Sequence, residues 1–259
     1  MAQREDSELY PAKFLAESAH PEKTPNPPDL LILNQPIAHF TAFSRLWKHT
    51  EYRICADGGA NRLYDMLKGD LIAQREQYLP DMIHGDLDSL RDDVRDYYEA
   101  RGVPVLRDGD QYSTDFGKCM KKISSRLTSS MVRDVIVLGT LGGRVDQGLG
   151  LLNEIYREEN RHADLRLWLF SECSLSFILR SKETLLRGLQ EDGIFTENVG
   201  FLPIYGPAII STEGLEWDVK EWPTQMNGGQ LSTSNHVKAN DVRVGTDVPI
   251  LFTIERAPL

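Results

Sequence analysis

Apolar positions along the first two thirds of the chain switch between two periods. Short unbroken runs read as buried strands: "LLIL" (30–33), "YRICA" (52–56), "MIHG" (82–85), "VPVL" (103–106), "DVIVLGT" (134–140) and "LRLWLF" (165–170), with "LSFILR" (175–180) as one more. Between them the spacing becomes helical. Ile37, Phe40, Phe43 and Trp47 recur at three- and four-residue steps. "DGGANRLYDML" is a glycine turn running into a helix, and Ser89 with Asp92 fits a capping box opening a helix to about Ala100. "STDFGKCMKKISSRL" (113–127) and "GLGLLNEIYREEN" supply two more. Such alternation predicts an α/β fold, a mostly parallel Rossmann-like sheet with helices on both faces. After about residue 185 helical patterns stop, and short β-like runs punctuated by Gly, Pro and Asn predict a small all-β sandwich. The expected organisation is an irregular, polar N-terminal arm (1–28), an α/β domain (29–183) and a β-sandwich domain (184–259), with "SKETLLRGLQEDG" as the joint.

In parallel sheets ligands bind beyond the C-terminal strand ends. Unusual polar clusters sit there: Asp57-Gly58-Gly59, Gly85-Asp86-Leu87-Asp88 and Gly142-Gly143-Arg144-Val145-Asp146-Gln147. A fourth, Asp110-Gln111-Tyr112-Ser113-Thr114-Asp115, lies a few residues past the fourth strand. Asp86 and Asp88 are one residue apart, and on a tight turn their carboxylates can converge. Convergence is costly without a cation, and a hard divalent ion such as Mg²⁺, bound by carboxylates and substrate phosphates, removes the cost. The plainer reading makes Asp86 a turn cap and Asp88 a helix starter. Asp57-Gly58-Gly59 admits backbone N–H groups close to a phosphate, or is only a turn. Thr114-Asp115 fits a helix cap with room for a metal or phosphate role. Arg144, on a Gly-rich loop, suits a phosphate, with Asp146 as a cap or a ligand contact. Trp217 and Trp222, near "LSTSN" (231–235), are core indoles or the floor of a pocket for a flat heterocycle.

Charge narrows the partners. The chain of 259 residues carries a net charge of −10, which argues against nucleic acid. Half of that charge lies between Asp86 and Asp115, where nine acidic residues face four arginines. Asp92, Asp93, Asp96 and Glu99 suit a solvated helix face; Asp86 and Asp88 do not. No apolar run approaches a membrane span, and the acidic N-terminus has no leader-like pattern. Three scattered cysteines fit neither a disulfide framework nor a zinc site, so the expectation is a cytoplasmic protein. P-loop, dinucleotide-fingerprint and G-x-S-x-G signatures are absent.

Taken in order, "CADGGANRLYD", "GDLDS", "STDF", "LGGRVDQ" and a tail with "GLEW" and "LSTSN" resemble the thiamin pyrophosphokinases of the eukaryotic kind, over about 30–258. The resemblance implies an α/β catalytic domain followed by a β-sandwich that holds thiamin in part. It implies a homodimer with active sites at the subunit interface, and transfer of the diphosphate of ATP to thiamin with Mg²⁺. Matched by motif, Asp86, Asp88 and Asp115 would hold the metal, and with Arg144 would form the catalytic set. Asp57, Gln111, Thr114, Asp146, Gln147, Trp217, Ser232, Ser234 and Asn235 would bind substrates. Leu87 stands where the family often has an aromatic residue, and Tyr112 where it often has an aspartate. Two rival readings use the same loops: a Mg-dependent hydrolase of nucleoside diphosphate compounds, and a non-catalytic thiamin- or nucleotide-binding protein.

Overall fold

A computed structural model of the chain describes residues 7–17, 26–127, 132–180, 182–191 and 193–259. Contacts divide it into two compact units, Ala19–Glu172 and Cys173–Leu259 together with Met1–Ser18. Strand β1 (Glu8–Leu9) belongs to the latter. The α/β unit comprises β2 (Asp29–Ile32), α1 (Phe40–His49), β3 (Arg53–Ala56), α2 (Gly59–Met66), β4 (Met82–Gly85), α3 (Asp92–Glu99), β5 (Val105–Arg107), α4 (Asp115–Ser124), β6 (Arg133–Leu138), α5 (Val145–Arg161) and β7 (Leu165–Phe170). These strands pair in parallel in the order β7-β6-β2-β3-β4-β5.

The apolar runs explain the sheet. Every residue of β2 is buried, as are Val135–Leu138 of β6 and Leu167–Phe170 of β7. Strands covered on both faces need such runs. The chain steps outward from β2 to β5, then returns to lay β6 on the free side of β2. That reversal makes a switch point between β2 and β6, where the loops beyond the strand ends part and leave a crevice.

The β unit adds β8 (Ser174–Leu179), β9 (Glu183–Leu186), β10 (Phe195–Leu202), β11 (Ala208–Glu213), β12 (Trp222–Thr224), β13 (Ser232–His236), β14 (Val242–Thr246) and β15 (Ile250–Arg256). One sheet runs β1-β9-β14-β11-β12, and β13-β10-β15-β8 are consecutive neighbours in another. Phe252 is fully buried, with its ring 5.1 Å from Phe177 and 5.3 Å from Phe201.

Several local expectations differ from the structure. Contacts divide the chain between Glu172 and Cys173, where the sequence reading set 183/184, and β8 pairs antiparallel with β15. The supposed joint is partly β9, laddered to β14. The arm expected to be irregular contains β1, parallel to β9, and a 3₁₀ turn, Pro11–Phe14; Leu9, Phe14 and Leu15 are buried. Its residues 1–6 and 18–25 lie outside the described residues. Ser89 does not cap α3, which starts after Arg91 without a side-chain cap, two residues beyond Ser89, whose amide donates to Asp57 Oδ2. A 3₁₀ helix over Gly69–Gln77 gave no periodic signal, since none of its residues is buried.

Candidate active site

A cleft of about 700 Å³ opens beyond the C-terminal ends of β2, β3, β4 and β6. Its walls come from the loops carrying Asn34, Asp57, Asp86, Thr114 and Arg144. One carboxylate oxygen each from Asp57, Asp86 and Asp115 lies within 4.8 Å of the others. Three different elements deliver them. Asp57 follows β3, Asp86 follows β4, and Asp115 is the first residue of α4, which packs on β3 and β4.

Backbone amides and one lysine hold this trio. The Asp86 amide donates to Asp115 Oδ1 (3.0 Å), the Asp88 amide to Asp86 Oδ1 (3.2 Å) and the Ser89 amide to Asp57 Oδ2 (3.0 Å). The second and third are aimed by Leu87, whose φ of 65° folds the loop back on itself. Asp57 (φ 43°) and Leu141 (φ 52°) also adopt the left-handed region. Non-glycine residues there cost about 1–2 kcal/mol each. Such strain persists where surrounding structure over-determines it, and it gathers at functional loops. Gly85 is forced by the site: a Cβ there would lie 2.7 Å from Asp115 Oδ1 and 3.0 Å from Asp57 Cβ.

Lys118 is the cation of the cluster. It lies one turn after Asp115 and is only 1% exposed, with Nζ 3.3 Å from Asp115 Oδ1 and 3.5 Å from Asp86 Oδ2. Burial opposes its charge, but Asp115 and Asp86 outweigh burial and hold its pKa above the ordinary lysine value. Asp57 is 4% exposed, and among the described residues its Oδ1 has no hydrogen-bond partner. Burial above all, then the negative charge of Asp115 and Asp86, raises the Asp57 pKa against the Ser89 hydrogen bonds. A buried, unpartnered carboxylate oxygen facing two more carboxylates suits a hard cation.

The other predicted residues separate. Thr114 caps α4 by accepting from the Gly117 amide (3.1 Å), and its hydroxyl donates to Glu154 Oε2 (2.6 Å). Arg144, Asp146 and Gln147 line the cleft at the start of α5, with Arg144 Nε donating to Asp146 Oδ1 (3.1 Å). Both partners of that pair are exposed. Asp88 is exposed and stands outside the carboxylate trio. Gln111 is exposed and absent from the cleft wall, and Tyr112 is fully exposed. Asn34, Gln35, Lys118 and Glu154 escaped the motif reading. Asn34 and Gln35 were findable by the strand-end rule, because "NQP" directly follows "LLIL". Lys118 was not: a lysine in a helix normally faces water.

A second pocket, of about 430 Å³, lies in the β unit among Phe201, Trp217, Trp222, Ser232, Ser234 and Asn235. Asn235 clamps the Trp217 backbone, accepting from its amide (3.2 Å) and donating to its carbonyl (2.9 Å). The Trp217 indole is half exposed and rests against His236, with ring centres 5.2 Å apart. Trp222 is fixed by its Nε1–H, which donates to Gln230 Oε1 (2.9 Å).

Polyphosphate handling is the class of chemistry such a cleft defines, since clustered carboxylates, an arginine and a Gly-rich loop meet at the switch point of a parallel sheet. Comparison with known proteins sharpens this. Residues 43–169 match the thiamin pyrophosphokinase catalytic domain, and 185–251 match the thiamin pyrophosphokinase vitamin B1 binding domain. The chain is 38% identical to thiamine pyrophosphokinase 1 of Arabidopsis thaliana, over 87% of this chain and 85% of that one. It is 33% identical to the Saccharomyces cerevisiae thiamine pyrophosphokinase, over 93% and 89%. The crystal structure of yeast thiamin pyrophosphokinase superimposes with a TM-score of 0.86 at 29% identity, covering 98% of this chain and 92% of that one. The chain belongs to the thiamin pyrophosphokinase family.

Proposed function

We infer that the chain transfers the diphosphate of ATP to the hydroxyethyl oxygen of thiamin, giving thiamin diphosphate and AMP. The observation that carries this reading is the trio Asp57, Asp86 and Asp115 at the switch point, in a chain whose β unit matches the vitamin B1 binding domain. Mg²⁺ fits the trio: the donors are hard oxygens, and one of them is buried and unpartnered. We assign the ion to Asp57, Asp86 and Asp115. Bound there, it would act as the Lewis acid that offsets phosphate charge.

The protein's own groups do the rest. Arg144 and the Gly142-Gly143 turn face the polyphosphate, the guanidinium leaving Asp146 to pair with phosphate oxygens. Thr114 and Glu154 brace the start of α4, so that Asp115 stays in register. The carboxylates of Asp57, Asp86 and Asp115 already accept hydrogen bonds, whereas Asp88 is exposed. An aspartate of the Asp86/Asp88 pair or Asp115 is assigned to take the alcohol proton as the oxygen attacks phosphorus. Gln147, in the cleft wall, is assigned to the nucleotide, and Gln111, outside that wall, is assigned no contact. Trp217, Ser232, Ser234 and Asn235 are placed at thiamin, whose cationic ring gains about 0.5–2 kcal/mol over an indole.

The parallel sheet is read as Rossmann-like and the two β sheets as a sandwich. A homodimer with active sites at the subunit interface is supported by Val145 and Leu149, 76% and 63% exposed on one face of α5 beside the cleft. Among the described residues no helix is long and apolar enough to cross a membrane, and a cytoplasmic location is proposed. Incubation with thiamin, ATP and Mg²⁺ tests the reaction: AMP with thiamin diphosphate is expected, and ADP with thiamin monophosphate would refute the diphosphate transfer.

A further inference from the structure

Lys118 is an expensive feature. A fully buried ammonium is tolerated only with close countercharges, and here its countercharges are two of the three carboxylates that face the cleft. A lysine whose task was to bind phosphate would present its ammonium to the cleft, yet Lys118 does not line it. The Asp86 oxygen nearest Lys118 is Oδ2, while Oδ1 accepts the Asp88 amide; Asp115 Oδ1 takes both Lys118 and the Asp86 amide. The ammonium therefore stands behind the trio, fixed by helix α4, with its charge spent on the donors themselves. Three carboxylates and one ammonium leave two negative charges, which a single divalent ion balances.

We infer that Lys118 is an internal countercharge that positions Asp86 and Asp115 and keeps the trio a weak site for a free ion, so that the ion enters together with the nucleotide's polyphosphate. The inference rests on the reading of Asp57, Asp86 and Asp115 as the metal site. In the free protein Lys118 suppresses the mutual repulsion of the carboxylates, which keeps them converged without metal. The same positive charge repels an approaching cation, and affinity at oxygen sites follows ligand charge. A polyphosphate arriving with the ion supplies the negative charge that Lys118 withholds.

The test is Mn²⁺ titration by calorimetry without nucleotide, on the wild type, Lys118→Met and Lys118→Arg. The wild type is expected to bind Mn²⁺ weakly, with Kd above about 100 μM, as charge-poor oxygen sites do. Lys118→Met is expected to bind about tenfold tighter or more, because a unit charge a few ångströms from the ion has been removed. Lys118→Arg, which keeps the charge, is expected to stay within about threefold of the wild type. Thermal unfolding should show Mn²⁺ stabilising Lys118→Met more than the wild type, a differential that a merely structural lysine would not produce. Equal or weaker Mn²⁺ binding by Lys118→Met overturns the inference, as does an arginine variant that behaves like the methionine one. Should Lys118→Met not fold, the wild-type titration still decides, since micromolar binding of Mn²⁺ alone contradicts a countercharged site. Adding Asp57→Asn to Lys118→Met separates the two levels. Loss of the tight binding supports the trio as the site, and its survival overturns the metal reading itself.

Discussion

Gly85→Ala adds one methyl group and places it against the trio. The new Cβ would sit 2.7 Å from Asp115 Oδ1, 3.1 Å from Asp115 Cγ and 3.0 Å from Asp57 Cβ. Ordinary contact begins near 3.5 Å, so two of the three carboxylates must move by several tenths of an ångström or more. The same movement breaks the hydrogen bond from the Asp86 amide to Asp115 Oδ1. Overpacking of this kind costs about 1–3 kcal/mol of stability. That is a modest loss, and the protein should remain folded at 25 °C. Catalysis should suffer far more, because displacing reacting groups by about 1 Å costs on the order of a hundredfold. The assay is AMP release at saturating ATP and thiamin, with thermal unfolding of the same preparation as the control for folding. A variant that stays folded and turns over within about threefold of the wild type would refute the claim that these three side chains must converge.

Asp57→Asn should abolish turnover yet raise the unfolding temperature of the metal-free protein at neutral pH. Burial raises the Asp57 pKa, so its contribution to stability is present in acid and lost as pH rises through the raised value, and asparagine removes that loss. A lower unfolding temperature at pH 7 in chelator would contradict this. Asn235→Ala removes both hydrogen bonds to the Trp217 backbone, leaving polar groups unmatched at about 1–3 kcal/mol. The KM for thiamin should rise at least about tenfold with the KM for ATP unchanged, and equal shifts in both would count against a thiamin pocket in the β unit. Thr114→Ala loses the α4 cap, worth about 1 kcal/mol, and the bond to Glu154; Thr114→Ser should restore both activity and stability, and a serine variant as weak as alanine would remove the hydroxyl from the argument. Phe252→Ala should cost about 3–5 kcal/mol in chemical denaturation, and a loss under 1 kcal/mol would mean the three-ring cluster does not anchor the β unit.

Strands buried on both faces announce themselves, which is why five of the six parallel strands were readable as apolar runs, while β5, at the sheet edge, is largely exposed. The strand-end rule then pointed to the loops of Asp57, Asp86 and Arg144, all of which line the cleft. What periodicity cannot give is the direction of a side chain in an irregular turn. Asp86 and Asp88 look equivalent in sequence. The positive φ of Leu87 turns the Asp88 amide toward Asp86, and it is Asp57, 29 residues earlier, that joins Asp86 and Asp115 instead. The place of β8 was equally hidden. "LSFILR" reads as a strand, and nothing in it announces its antiparallel pairing with the distant β15. Lys118 shows the same limit: nothing local distinguishes a buried helical lysine from Lys121, which is exposed one turn beyond.

A crystal of the protein with a non-hydrolysable ATP analogue, Mg²⁺ and thiamin measures directly where the ion sits. The account predicts an ion bound about 2.0–2.1 Å from carboxylate oxygens of Asp57, Asp86 and Asp115, with the remaining positions filled by phosphate oxygens and water. An ion held by phosphates elsewhere in the cleft, with those three carboxylates left to Lys118 and solvent, would contradict it.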